Sequence, residues 1–337
     1  MTRIQLALCC STLWLSMCPA NALEQQTSVG TTRANVPAVQ SPQIRQSGGV
    51  IEKQTTEAQP TESAAVSIGS FGMVDFPGST GDIGDGINDK GQIVGGYNGS
   101  DVLSNPAHSF VLKGSSFKAI NYPGAISTEA NGINDGGVVV GYYTDAAGNV
   151  HGFQLVGSTY TPIDRPGAVA PYGTVAWGIN KAGNIVGGYW NGTKSVGFSL
   201  LNGVYNDLNV PSSTYTNALG INTAGQIVGW YGDANGNVNG YFYDNGTYTT
   251  VDYPGFPNSY AEGINDKGQI VGGYGNPGPV AWQHGFLYQN GQFTSFDVPF
   301  GPPVSTLPSN INNHGTIVGA YEDATGVWYG FVATLAQ

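Results

Sequence analysis

Histidine and carboxylate are the side chains here with the widest chemical repertoire, and both are few. There are four histidines, and 10% of the 337 residues are charged. His108, His151 and His284 each open a His-small-Phe triplet: His108-Ser109-Phe110, His151-Gly152-Phe153 and His284-Gly285-Phe286. Three imidazoles could hold a metal if they converged. The corresponding positions elsewhere hold Val196, Asn239 and Tyr329. The three histidines therefore fall in separate copies of a repeat, and a structural role at a strand start is expected. His314 sits in a turn and is expected to be solvated.

Among the acids, Asp85, Glu129 and Glu262 lie on or beside strands that begin a repeat. A channel could gather them for glycosidase-type acid–base work, which needs paired carboxyls. In repeat register, Asp85 corresponds to Asn131, Trp177, Leu219, Glu262 and Ser309. That position varies inside otherwise regular copies, as a ligand site requires and as an unconstrained position also allows. Asp233-Ala234-Asn235-Gly236-Asn237 spaces oxygen ligands as a calcium loop does, but lacks the distal Glu. Asp145-Ala146-Ala147-Gly148 and Asp323-Ala324-Thr325-Gly326 recur at the same place, and Asp-x-x-Gly is also ordinary turn chemistry. There is no Gly-x-Ser-x-Gly, His-Glu-x-x-His or phosphate loop. No catalytic residue, metal or cofactor is expected.

These residues are carried by one repeated stretch, Gly86-Ile87-Asn88-Asp89-Lys90-Gly91-Gln92-Ile93-Val94-Gly95-Gly96-Tyr97. Its copies centre on Asn88, Asn134, Asn180, Asn222, Asn265 and Asn312, at spacings of 46, 46, 42, 43 and 47 residues. Each copy resolves into four strand signals. In the fifth these are Ser259 to Asn265, Gln269 to Tyr274, His284 to Tyr288 and Gln292 to Pro299. Asn-x-x-Gly joins the first two strands in all six copies: Asn opens a type I turn and Gly takes the left-handed closing position. Pairs such as Asn202-Gly203, Asn245-Gly246 and Asn290-Gly291 join the last two. Asp/Asn-x-Pro ends the fourth strand, where proline cannot extend a ladder.

Four antiparallel strands per ~45-residue repeat predict a propeller blade. The fold class is therefore all-β, a six-bladed propeller. The chain begins the pattern with a lone fourth strand from Gly69 and ends after a third, Trp328 to Thr334. Joining the two completes the sixth blade and hides its edge. A linear β-solenoid would not need that offset.

The repeat also resembles the HAF repeats of secreted bacterial proteins, on Gly-Ile-Asn-x-x-Gly-x-Ile-Val-Gly-x-Tyr followed by His-small-Phe. The resemblance covers residues 68–337 and implies an extracellular or envelope setting and a repeat fold. It carries no catalytic residues.

Residues 1–22 are expected to be a secretory signal: Arg3, an apolar run from Ile4 to Met17 too short to span a membrane in the ordinary way, then Ala20-Asn21-Ala22. All three cysteines, Cys9, Cys10 and Cys18, fall within it, so the mature chain would have no disulfide or thiolate chemistry. Leu15-Ser16-Met17-Cys18 resembles a lipoprotein box but has Met where a small residue is usual, so lipid anchoring at Cys18 is not expected. Residues 23–66 read as a disordered polar leader, and 67–337 as the propeller. The net charge of −11, or −12 after cleavage (10 basic against 22 acidic residues), argues against nucleic acid.

The expected function is a secreted or periplasmic non-catalytic binding module for a glycan or a protein. A carbohydrate-active hydrolase or lyase with acids at the channel mouth is the alternative, and a structural envelope or matrix protein the second. Second-to-third and fourth-to-first connections share one face and vary in length, so binding is expected there. The candidate ligand-binding residues are Asp85, Asn131, Trp177, Trp190, Glu262 and Trp282. Tyr172, Tyr215 and Trp328 are further aromatics assigned to that face, where sugar-ring stacking and ordinary blade packing are equal readings.

Overall fold

A computed structural model describes residues 67–98, 108–277, 283–301 and 303–336. The expected signal (1–22), the leader (23–66) and Trp282 lie outside the described residues. Within them the chain forms six four-stranded antiparallel sheets arranged as the blades of a propeller. Blade 2 shows the plan: Ser127–Ile133, Val139–Thr144, Val150–Val156 and Thr159–Ile163, from the axis outward. Blade 6 is completed by Ile68–Val74, which pairs antiparallel with Trp328–Leu335. The ring therefore closes as the sequence offset predicts.

The turns follow the residue chemistry. In every Asn-x-x-Gly the glycine N–H donates to the asparagine carbonyl, as Gly91 does to Asn88 at 3.0 Å. Asn202 and Gly203 both have positive φ, 51° and 81°, the type I′ signature.

The core lies between blades. Val94, Val140, Val186, Val228, Val271 and Val318 occupy one register position and are fully buried. Phe110, Phe153, Phe198, Tyr241, Phe286 and Phe331 do the same on the third strands. Each such burial contributes about 1.5–3 kcal/mol, so repeating it in six blades supplies much of the drive to close the ring. The glycine after each of these valines is imposed by proximity. A Cβ at Gly141 would collide with the Glu129 carbonyl of its own innermost strand.

Two local features depart from the sequence reading. Innermost strands of blades 2 to 6 carry a register shift, between Ala130 and Gly132 in blade 2 and at the equivalent places in the others. The extra residue of each bulge is Asn131, Trp177, Leu219, Glu262 or Ser309. Blade 1 has only Gly86–Ile87 as a regular innermost strand. The segment before it is shared between two blades. Ile83 and Asp85 donate to Gly96 and Val94 of blade 1, while Asp82 and Gly84 donate to Trp328 and Gly319 of blade 6.

Candidate functional site: the central channel

The turn-face end of the axis is encircled by the repeated asparagines. Each side-chain Nδ2 donates to the backbone carbonyl of the next: Asn88 to Asn134, Asn134 to Asn180, Asn180 to Asn222, Asn222 to Asn265, Asn265 to Asn312, and Asn312 to Asn88, all at 2.9–3.3 Å. Each Oδ1 accepts from its own turn: Asn222 takes one N–H, from Gln226, and the other five take two, as Asn88 does from Lys90 and Gln92. Through this ring runs a well of about 80 Å³, lined from Gly132, Gly178 and Gly220 past the asparagines to a polar mouth of Asp89, Asp135, Lys181, Thr223, Asp266 and Asn313. Its oxygens are already engaged: Asp89 accepts from Asn313, Asp135 from the Asp89 N–H, and Asp266 from Thr223 and Asn313.

Three residues before each asparagine is the bulge position or, in blade 1, its equivalent. Asp85, Asn131, Trp177 and Glu262, assigned as ligand-binding from the sequence, thus occupy one level of the channel on blades 1, 2, 3 and 5. The Asp85 charge acts on both Glu129 of blade 2 and Glu262 of blade 5. Burial is the leading cause of the rise at each. It pushes the Asp85 carboxyl up to about 7 and Glu262 up to about 8, and it raises Glu129 well above the usual carboxylate range. The Trp230 indole beside Glu262 offsets part of this. Asp85 and Glu262 keep some surface on the channel, whereas Glu129 is 3% exposed.

Three buried oxygens at this level have no hydrogen-bond partner: Asp85 Oδ2, Glu129 Oε2 and Asn131 Oδ1. The Asn131 orientation is fixed, because its Nδ2 donates to the Ala176 carbonyl at 2.9 Å. Aromatic rings form the neighbouring wall. Tyr142 and Trp177 meet edge to face at 6.2 Å, and Trp230 and Tyr260 at 5.7 Å. Trp190 packs with Tyr172 at the loop end, and both join Tyr142, Trp177 and Trp230 in one apolar cluster. Trp190 is therefore linked to Trp177 through packing, as part of the rim.

Tyr142, Trp230 and Tyr260 were absent from the sequence-derived set, and Glu129 was named there only as a possible acid–base group. A signal existed: the residue after Ile-Val-Gly is Gly96, Tyr142, Gly188, Trp230, Gly273 or Ala320, and its bulk varies around the ring. Gly96 leaves room for the Glu129 carboxyl, since a Cβ there would come 2.9 Å from Glu129 Oε2. Of the other aromatics assigned to the loop face, Trp328 is instead buried within its blade, and Tyr215 packs edge to face on Trp230.

The three repeat histidines are held within their own blades. Nδ1 of His108, His151 and His284 lies 3.0, 3.1 and 2.9 Å from Asn121, Asp164 and Asp297, the Asp/Asn of Asp/Asn-x-Pro in the same blade. Each imidazole also packs on the tyrosine ending its second strand, Tyr97, Tyr143 or Tyr274. The aspartates of the calcium-like loops are turned inward. Asp233 Oδ1 accepts from Asn235 and Asn237 N–H, and Asp145 and Asp323 repeat the pattern.

Structural comparison returns propellers. AofleA from Arthrobotrys oligospora matches with TM-score 0.51 and 11% identity, over 78% of this chain and 86% of that one. A gluconolactonase from Xanthomonas campestris matches at 0.48 and 7%, over 77% and 87%. A variant of the Aleuria aurantia lectin in complex with Fucalpha1-6GlcNAc matches at 0.45 and 11%, over 77% and 96%. At these identities the likeness is one of fold. No family model matches the chain, and no curated protein matches it. No helix among the described residues is long and apolar enough to cross a membrane.

Proposed function

We propose that this chain is a non-catalytic binding propeller, exported to the periplasm or beyond, that takes a glycan into the channel from the loop-rich face. One observation carries the reading. Departures from the sixfold pattern concentrate on the channel wall, where they place unpaired polar atoms beside tryptophan and tyrosine rings. A scaffold protein would gain nothing from burying Glu129 without a partner, because such burial costs stability. Aromatic faces with polar groups beside them suit sugar rings. Lectins are among the proteins that share the fold. The expected export signal at residues 1–22, and the HAF-type motif around Asn88 and Gly91, support a place outside the cytoplasm.

A hydrolase is the second reading, favoured by the three carboxyls. Hydrolysis by a carboxyl pair needs one protonated acid and one ionised base or nucleophile. Environments that assign those roles push the two pKa values apart. Here burial raises all three together, which favours binding over turnover.

The test is a thermal-shift screen against an oligosaccharide panel, because a ligand of the folded state raises the midpoint. A shift abolished by Trp177→Ala supports the proposal. No shift with any glycan, or a shift that Trp177→Ala leaves intact, rejects it. Steady release of product from any panel member points to the hydrolase.

A further inference from the structure

The channel's charge pattern specifies more than a glycan. Asp85 Oδ2, Glu129 Oε2 and Asn131 Oδ1 are acceptors with no donor. An ionised carboxylate or an amide oxygen is satisfied only by a group that brings N–H or O–H. Among the described residues, no lysine, arginine or histidine is found with the groups that act on the three carboxyls. Groups of one sign, buried together without a counter-charge, raise one another's energy. The rings of Tyr142, Trp177, Trp230 and Tyr260 beside them offer negative faces, which also attract a cation.

We infer that the channel selects a ligand bearing a primary ammonium group, of the kind an unacetylated hexosamine carries, with the ammonium seated among Asp85, Glu129, Asn131 and Glu262. The inference rests on the glycan-binding reading and narrows its ligand class. An ammonium supplies N–H donors to the orphaned acceptors, and its charge favours the ionised form of the channel carboxyls, which give up their protons as it binds. The sugar ring then lies against the Trp177 side of the wall. A hydroxyl could satisfy one acceptor, but it brings no charge. A quaternary ammonium brings charge without N–H, and would use only the aromatic faces.

The experiment follows tryptophan fluorescence and isothermal titration at pH 7.5, with three probes of equal length. These are a glucosamine oligosaccharide, its fully N-acetylated form and a glucose oligosaccharide; cyclohexylammonium is the amine without a sugar. The glucosamine oligomer is expected to bind at least about tenfold more tightly than either neutral oligomer, a modest preference for a desolvated charge pairing. In Asp85→Asn/Glu262→Gln that preference is expected to collapse. Circular dichroism and the thermal midpoint establish that the double variant is folded. Equal affinity for amine and acetylated oligomers overturns this inference and leaves glycan binding standing. Binding of cyclohexylammonium but of no oligosaccharide supports the ammonium site and overturns the glycan reading. An amine preference that survives in the folded double variant also overturns the inference.

Discussion

The side-chain amide of Asn312 donates to the backbone carbonyl of Asn88 at 3.0 Å, joining residues 224 positions apart. It is the last of six identical bonds and the one that links the final repeat to the first. Replacing Asn312 by Ala deletes that bond and orphans the N–H groups of His314 and Thr316, which its Oδ1 accepts. The expected cost is about 2 kcal/mol, the usual scale for unsatisfied buried groups. Asn312→Asp separates the two roles, since a carboxylate keeps both acceptors of the turn but loses the donor to Asn88. Urea unfolding should find the Asp variant destabilised at least as much as the Ala variant. A near-neutral Asp variant would reduce the asparagine to a turn residue.

Ring closure also rests on Asp82. Its Oδ2 accepts from Phe76 N–H and the Ser79 hydroxyl, and its Oδ1 from Gly330 N–H, at 2.9–3.0 Å. It thereby holds both chain ends of blade 6. The equivalent position elsewhere is Thr128, Thr174, Thr216, Ser259 or Thr306, each accepting a single backbone N–H from the preceding Asp/Asn-x-Pro. Asp82→Ala leaves three donors without a partner and is expected to cost about 3 kcal/mol. Deleting Ile68 to Pro77 removes the outer strand entirely and should expose the edge of Trp328–Leu335 to self-association. Light scattering of the purified deletion checks this; a monomer as stable as the parent would contradict the closure.

The sixfold asparagine shows how far the sequence could be read. Asn88 and Gly91 at fixed spacing announce a turn, because Oδ1 acts on the residues two and four positions ahead. The Nδ2 bond is invisible in the same letters, since its partner is another repeat brought alongside only by closure. Asn131 was legible as a position where copies disagree. That it is a bulge was not, because nothing in Ala130-Asn131-Gly132 marks which residue leaves the ladder. Glu129 was noticed as an acid near the axis. Its burial depends on Gly96 of the neighbouring blade, a pairing that no period within one repeat reveals.

Channel carboxyls make stability depend on pH, and the direction is fixed. Asp85 and Glu262 have folded-state values of about 7 and 8, above the unfolded values near 4. The folded protein therefore holds their protons more tightly. Their contribution is complete below about pH 4 and is lost as pH rises through 7 to 8. Both side chains border the channel, where water and counter-ions reduce the effect, so a loss of about 2 kcal/mol between pH 5 and 8.5 is expected. Asp85→Asn/Glu262→Gln should flatten that slope. A parent whose urea midpoint rises across the same interval would show that the two carboxyls are not held protonated by the fold.

Gly96 and Gly141 test whether the Glu129 pocket is built as described. A methyl group at Gly96 meets Glu129 Oε2, the free end of a flexible side chain. Gly96→Ala should therefore be accommodated by rotating that carboxyl, at a cost of about 1 kcal/mol, typical of mild overpacking. At Gly141 the methyl meets the Glu129 backbone carbonyl, which cannot rotate away without breaking the strand pairing of Glu129 with Tyr142. Gly141→Ala should cost about 3 kcal/mol or more, or prevent folding. The two substitutions are chemically identical and lie near the same residue, so they differ only in which part of Glu129 must yield. Thermal midpoints of the pair give the ordering. A Gly96→Ala variant as damaged as Gly141→Ala would mean that the Glu129 side chain is clamped in place.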